Sequence, residues 1–394
     1  MRVLMITNFF PPANTVASHR TYSFAKYLPD YGIDVSILTP ERSGNLRYDL
    51  HGMKIITPYQ DKSSINRFVR KPNIVKDLMK YTGVRPALNY LKSTLYRKGK
   101  RMLNAQTVRE YDAVLVSFGP ENVLRLGYYL NRKYGLPLII DYRDLWIGNF
   151  FFRPTPLDKI VVRFIEGKII RSASLVTAVS RGLSDILNRR YHIESKVIYN
   201  GFFDDIERNF SLYLDNTNDP KLIKMCYCGS LYNGAQPIQL VFPALSREED
   251  LLLYIALFED IDCRYIKKLA KQWNVEDRIV IYKNLSNEDA ISLQYQCDLL
   301  LFLNSLDGSG AGTLSGKLFE YMAAKKYILG IGHRADEAAK IIIDLNLGGY
   351  TDSTDEVTSL IRKSKQWEGA IDSKVSFFTR RNQVKRMAEK LRKI

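Results

Sequence analysis

The residues whose types and spacing could do chemistry lie between 299 and 332, LLLFLNSLDGSGAGTLSGKLFEYMAAKKYILGIG. An apolar run ends near Asn304. A loop of small residues follows (Asp307-Gly308-Ser309-Gly310-Ala311-Gly312-Thr313), and a helical pattern opens at Ser315 or Gly316. The first N–H groups of a helix have no intrahelical partner and favour anions, phosphate above all. Glycines before such a helix let the backbone approach a ligand closely. Lys317 adds a cation there. Glu320, one turn on, is placed to accept hydrogen bonds from two ribose hydroxyls. Ser315 is the expected N-cap, with Leu318, Phe319 and Met322 on the core face. The same residues also suit a loop and capped helix without a ligand. The pattern is neither G-x-x-x-x-G-K-[ST], nor does a G-x-G-x-x-G follow the first strand. That weighs against a dinucleotide oxidoreductase.

The surrounding chain alternates short apolar runs with amphipathic stretches. Strands are expected at Val3–Thr7, Asp34–Leu38, Lys54–Ile56, Ala113–Ser117, Leu138–Asp141, Leu175–Ala178 and Lys196–Tyr199. Helices are expected near Ser18–Tyr31, Glu121–Tyr134, Leu157–Arg171 and Arg181–Arg190. Residues 201–221 are polar and irregular and read as a linker. A second alternation follows, with strands at Ile223–Cys228, Leu251–Leu257, Ile279–Tyr282, Leu299–Leu303 and Tyr327–Ile331. Its helices fall near Pro237–Leu245, Cys263–Trp273, Asn287–Gln296, Gly316–Ala324 and Asp336–Leu345. The expected architecture is α/β: two Rossmann-like, doubly wound domains facing across a cleft, residues 1–200 and 222–376. Residues 377–394 form a basic helix that could pack back on the N-terminal domain. Two facing domains could hold two reactants against each other.

Composition narrows the classes. The 394 residues are 46% hydrophobic and 25% charged, so the chain is neither disordered nor collagen-like. Four cysteines are too few for a disulfide scaffold. Cys226 and Cys228 fit no redox or zinc spacing, and reduced thiols in a cytoplasm are the economical reading. The four histidines are scattered. No run reaches the roughly 18 apolar residues of a membrane span. Met1–Thr7 reads as a strand before Pro11-Pro12, not as a signal peptide. The net charge of +16 arises wholly within residues 1–200, which hold 32 Lys and Arg against 15 Asp and Glu. Residues 62–109 contain 13 basic residues and one acid, Asp77. Such a field draws polyanions: nucleic acid, anionic lipid or phosphorylated substrates. A solvated basic surface without a partner is the bland alternative.

The stretch GKLFEYMAAKKYIL resembles the donor-binding segment of glycosyltransferase family 4, retaining enzymes of the GT-B fold. The opening ITNFFPPANTVASHRTYSFAKYLPDYGIDVSILT, then LIIDYRDLW, LVTAVSRGLSDIL with VIYNGF, and MCYCGSLYNGAQP resemble further segments of that family in the right order. The resemblance implies transfer of a sugar, with retention of configuration, from a nucleotide-sugar on the C-terminal domain, uridine being the family's default. It is of the type that builds capsule, O-antigen or exopolysaccharide, as a hexosyl- or N-acetylhexosaminyl-transferase. Glu320 would contact the ribose. Ser315, Gly316, Lys317 and Leu318 would meet the diphosphate, and Gly229 and Ser230 would lie opposite. Two departures stand out. Many members carry a second glutamate upstream, separated from the one matching Glu320 by seven residues, where this chain has Gly312. Many carry Arg and Lys after the first C-domain strand, where this chain offers Ser230, Asn233 and Gln236. The diphosphate would then rest on backbone amides, Lys317 and Arg143 or Arg20.

Arg143 stands where many relatives have a histidine. It is expected to stabilise the leaving phosphate or clamp an anionic acceptor, with an ion pair to Asp141 or Asp144 as the structural alternative. Asp144 would orient Arg143 or take the acceptor's proton. Asn14, Ser18 and Arg20 are expected on the acceptor or phosphate side, and His19 as a surface or capping residue. The resemblance calls for no metal or other cofactor. Asp204-Asp205 falls in the linker, and Asp260-Ile261-Asp262 at a helix start, where capping explains it.

Cations and apolar residues interleave between Ile65 and Val108, as in amphipathic helices on anionic membranes. The expected acceptor is therefore a glycan, free or linked to a polyprenyl pyrophosphate. The expected location is cytoplasmic, peripheral on the inner face of the cell membrane. Two rivals remain at this stage. One is a nucleotide-sugar epimerase on the same fold. The other is a catalytically silent or nucleic-acid-binding relative, for which no nucleic-acid motif is present.

Overall fold

The computed structural model describes residues 1–61, 93–119, 122–148, 155–205, 221–232, 234–308 and 314–394. The chain divides into two compact units, Met1–Asn200 with Arg380–Ile394, and Gly201–Thr379.

In the first unit the strands are β1 (Arg2–Ile6), β2 (Asp34–Leu38), β3 (Glu41–Arg42), β4 (Lys54–Ile56), β5 (Gln60–Asp61), β6 (Ala113–Phe118), β7 (Leu138–Tyr142), β8 (Leu175–Ala178) and β9 (Lys196–Val197). Seven of them form a parallel sheet in the order β4-β2-β1-β6-β7-β8-β9. Every residue of β6 and β7 is buried. That is why these strands read as continuous apolar runs and not as alternating ones. The covering helices are α1 (Val16–Tyr27), α2 (Thr94–Met102), α3 (Asn122–Tyr134), α4 (Pro156–Ile170) and α5 (Arg181–Tyr191). Helix α4 starts on a capping box between Thr155 and Asp158, with Pro156 at its first position.

The second unit repeats the plan. Strands β10 (Ile223–Cys228), β11 (Leu251–Leu257), β12 (Ile279–Lys283), β13 (Leu299–Leu303), β14 (Tyr327–Ile331) and β15 (Gly348–Thr351) run parallel in the order β12-β11-β10-β13-β14-β15. The helices used below are α6 (Asp260–Trp273), α7 (Asn287–Gln296), α8 (Gly316–Ala324), α9 (Glu337–Asp344) and α10 (Thr354–Lys363). Each unit has its own apolar core, one around Leu4, Val116 and Ile140, the other around Met225, Leu253 and Leu301. The final helix, α11 (Arg380–Leu391), belongs to the first unit. Gln383 there accepts from the Tyr199 N–H at 3.0 Å, and Arg392 donates to the Tyr31 carbonyl at 2.6 Å.

Several boundaries differ from the sequence reading for identifiable reasons. Thr15 caps α1, so the helix begins at Val16, and Pro29 confines the following residues to a 3-10 turn. The expected helix Pro237–Leu245 is a 3-10 turn, Ile238–Val241, followed by a short helix from Phe242, with Pro243 in its first turn. Strand β9 stops at Val197 because the next two carbonyls, of Ile198 and Tyr199, accept from Arg20 at 2.9 Å each. Most of the basic stretch, residues 62–92, lies outside the described residues. In the rest, Leu95, Leu103 and Val108 are part of the first unit's core, while Arg97, Lys98, Lys100 and Arg101 are exposed. Here the apolar side of the pattern is spent on the protein itself and not on a membrane.

Candidate functional site

A doubly wound sheet binds ligands beyond the carboxyl ends of its strands, at the point where strand order reverses. In the second unit that point lies between β10 and β13, and the chain leaving β10 is Gly229-Ser230. Gly229 has φ +145°, a conformation L side chains rarely adopt, and a Cβ there would overlap the Lys317 ammonium. The structure thus brings together two residues 88 positions apart, and needs glycine at one to seat the other. The Lys317 Nζ lies 3.4 Å from the Tyr227 hydroxyl, to which it donates, and 4.7 Å from the centre of its ring. Tyr227 in turn donates to the Ser230 carbonyl at 2.8 Å. Burial holds the Lys317 pKa below the ordinary lysine value, opposed by the nearby Cys228 and Glu320.

Helix α8 starts where expected. Ser315 is its N-cap and accepts from the Lys317 N–H at 3.4 Å. Leu318, Phe319 and Met322 are buried and Glu320 is half-buried. The N–H of Leu318 donates to the Ser315 carbonyl at 3.2 Å. Two of the amides that the resemblance gives to phosphate, those of Lys317 and Leu318, are therefore engaged in the helix's own cap. Residues 309–313, with Gly312, and Asn233 lie outside the described residues.

Two functional supports were not singled out from the sequence. Tyr227 orients Lys317 and fixes the turn at once; its position two residues before Gly229 on a strand was the available signal. Asp262 is fully buried and accepts from the Leu231 N–H at 2.7 Å, pinning the chain after β10. This corrects the capping expectation. Glu259 occupies the N-cap of α6 with no side-chain cap bond, while Asp262 reaches across to another loop. Asp260 pairs with Lys283 at the surface. Among the described residues no group of three or more His, Cys, Asp or Glu is placed to hold a metal ion.

In the first unit the order reverses between β1 and β6. The chain after β1 carries Asn8, whose side chain donates to Asn122 at the start of α3. Arg143 and Asp144 follow β7. The Arg143 guanidinium donates to the carbonyls of Phe118, at 3.1 Å, and Gly119, just after β6. Burial, aided by the Arg20 charge, lowers its pKa to about 10, against the raising influence of Asp144 and Asp141. It remains a cation at neutral pH. Asp144 is exposed to solvent, yet protein atoms crowd around it. That crowding raises its carboxyl above the ordinary value, and Arg143 pulls it back.

Arg20 corrects the reading most. It is 1% exposed and forms a bidentate pair with Asp141, which is 0% exposed, at 2.7 and 2.8 Å. Its other donors go to the Ile198 and Tyr199 carbonyls and to Asn200. No donor remains for a phosphate, and Asp141 is taken from Arg143. Ser18 is likewise buried, its hydroxyl 2.9 Å from the Thr15 hydroxyl at the helix cap. His19 is neither a surface residue nor a cap. It is half-buried with Nδ1 2.6 Å from the Tyr48 hydroxyl, and burial together with Arg380 lowers its pKa to about 3. Asn14 stays half-buried in the loop before α1, donating to Asn45 at 3.2 Å.

Two parallel doubly wound units in one chain are the plan of the GT-B class. Residues 17–205, just under half of the chain, match the family described as Glycosyltransferase Family 4. Among solved structures the chain is similar to HepE from Anabaena in complex with UDP and glucose, with 14% identity over 100% of both chains and a TM-score of 0.65. It is also similar to the lipopolysaccharide outer core galactosyltransferase WaaB, with 13% identity over 99% of each and a TM-score of 0.60. A putative UDP-N-acetylglucosamine 2-epimerase from Listeria monocytogenes shares the fold too. It has 13% identity over 98% of this chain and 94% of that one, with a TM-score of 0.54. No curated protein sequence matches the chain.

Proposed function

We propose that the chain transfers a sugar, with retention, from a UDP-sugar to a glycan or lipid-linked glycan, at the inner face of the cell membrane in surface-polysaccharide synthesis. The observation that carries this is the seating of Lys317 on Gly229 at the switch point of the second unit. A cation held there by Tyr227, beside the α8 start, is suited to a diphosphate that gains charge as it leaves. Glu320 takes the ribose hydroxyls one turn on. With two amides engaged in the cap, the Gly316 N–H and the Lys317 ammonium are the donors assigned to the phosphates. In the first unit Arg143, pinned by two carbonyls, supplies a fixed positive charge for an anionic acceptor or the leaving group, and Asp144 orients it. Asn14 lies on the acceptor side. Transfer proceeds by departure of the diphosphate while the acceptor hydroxyl attacks from the same face. The protein supplies charge and register, and no step draws on a metal. The cations of residues 62–109 draw the protein toward anionic lipid over a Debye length.

The HepE structure holds UDP and glucose, and WaaB is named as a galactosyltransferase, which supports a nucleotide-sugar donor here. The epimerase shares the fold, so fold does not choose between transfer and epimerisation. Calorimetry of Glu320→Ala with UDP and UDP-sugars tests the site. Charge-assisted hydrogen bonds of about 1.5–3 kcal/mol predict a loss of roughly ten- to hundredfold in affinity with the fold intact. Undiminished binding removes Glu320 from the nucleotide. An acceptor requirement for UDP release separates transfer from epimerisation.

A further inference from the structure

Helix α4 presents three large apolar side chains to solvent, Leu157 at 52%, Ile160 at 67% and Phe164 at 72% exposure. Their spacing of three and four places them on one face of the helix. A surface helix of a soluble domain ordinarily turns such residues inward, and α4 does bury Val162, Ile169 and Ile170 on its other side. Beside this ridge lies a cavity of about 420 Å³ lined by Arg163, Arg171, Arg189, Arg190, Ile186 and Tyr191. Gly167 lets the Arg171 guanidinium fold back over α4, 3.2 Å from where a Cβ would stand, and it lines the same cavity as Arg163. Arg190 is oriented by the Ile147 carbonyl at 2.9 Å. Among the described residues no carboxylate pairs with Arg163, Arg171 or Arg189. Glu166, on the buried side of α4, accepts from Tyr191 and lies out of solvent, while Asp185 on α5 is the exposed acid of this face. Lys159 and Lys168 add exposed cations along α4.

We propose that the α4–α5 face of the first unit docks on an anionic phospholipid bilayer, with Leu157, Ile160 and Phe164 in the headgroup–acyl boundary and the arginine cavity on a headgroup phosphate. Exposed apolar residues flanked by cations are the combination that holds a helix in the plane of a membrane. Guanidinium groups gathered without carboxylates suit phosphate oxygens, which they bind in bidentate fashion. The apolar ridge decides against a nucleic acid, which would gain nothing from three solvent-facing aliphatic and aromatic side chains. The inference rests on the proposed membrane location but on neither the donor site nor the transfer step. It places the contact on α4, where the Leu95 side of the basic stretch is already committed to the core.

The test is co-sedimentation of the full chain with vesicles of phosphatidylcholine alone, and of phosphatidylcholine with phosphatidylglycerol. Three proteins are compared: wild type, Ile160→Ser with Phe164→Ser, and Arg163→Gln with Arg171→Gln. All four positions are exposed, so circular dichroism and UDP affinity should be unchanged. The wild type is expected to bind the anionic vesicles and not the neutral ones. Each double variant should lower the partition coefficient roughly tenfold or more. The proposal is overturned if wild type ignores anionic vesicles, if either double variant binds as wild type does, or if an RNA duplex displaces the protein from vesicles without loss in the serine variant. Loss of UDP binding with vesicle binding intact would refute the transfer reading and leave this one standing.

Discussion

Arg20 offers the sharpest test of the structural assignments, because its two readings predict opposite results. If it met a phosphate, Arg20→Met would weaken nucleotide binding and leave stability nearly unchanged. The structure predicts the reverse. The substitution leaves Asp141, at 0% exposure, with the Thr177 hydroxyl at 2.7 Å as its remaining described side-chain donor, and strips the Ile198 and Tyr199 carbonyls of theirs. Breaking a buried pair from one side costs about 3–5 kcal/mol, since a charge stays behind without its partner. With a urea slope near 3 kcal/mol/M for a unit of this size, the midpoint should fall by about 1–1.7 M. Of the three tryptophans, Trp146 lies in the first unit, buried beside Phe118. In a Trp273→Phe, Trp367→Phe background its fluorescence therefore reports that unit alone. The apolar double substitution Arg20→Met with Asp141→Leu should recover most of the loss, because no charge is then stranded. A deficit below about 1 kcal/mol, a double variant worse than Arg20→Met, or a UDP affinity that falls in step with Arg20 would refute the pairing argument.

Lys317 should give the donor site a pH signature. Its pKa is lowered by burial, so the cation is present below that value and is lost as pH rises through it. UDP affinity should hold at neutral pH and begin to fall short of the ordinary lysine range near 10.4, and Lys317→Arg should remove that fall. The same decline in both proteins would show that another group titrates. Asp262→Ala should strand the buried Leu231 N–H and cost the second unit about 1–3 kcal/mol, read as an earlier thermal transition of that unit with the first unchanged. An unaltered transition would mean the Leu231 anchor contributes nothing.

The sheet architecture was legible because parallel strands buried on both faces must be continuous apolar runs. AVLVSF, LLLYIAL and LLLFL could be nothing else at that length. Strand β15 was missed for a physical reason. Gly348 and Gly349 offer no apolar side chain to mark a strand, yet Gly348 has φ +154° and a Cβ there would run into the Ile328 backbone, so glycine is what allows the edge strand to close on β14. The start of α8 was equally legible, since a capping serine, a glycine and an apolar face at helical spacing specify it locally. Its relation to Gly229 was not. That contact joins two loops 88 residues apart, and it depends on which strands are neighbours in the sheet.

Cations show the same division between what composition carries and what only packing decides. A net charge of +16 favours anions in general, but each arginine spends its charge according to what surrounds it. Arg20 is consumed by a buried carboxylate and two carbonyls. Arg143 gives two donors to carbonyls and keeps its charge beside the end of β6. Arg163 and Arg171 gather with Arg189 and Arg190 around a cavity, beside apolar side chains that the core has left outside. In sequence all of these are the same letter near ordinary helix and strand patterns. What separates them is the polarity of the next layer of atoms, and a structural ion pair, a fixed electrostatic group and a docking surface follow from that layer and not from the count of charges.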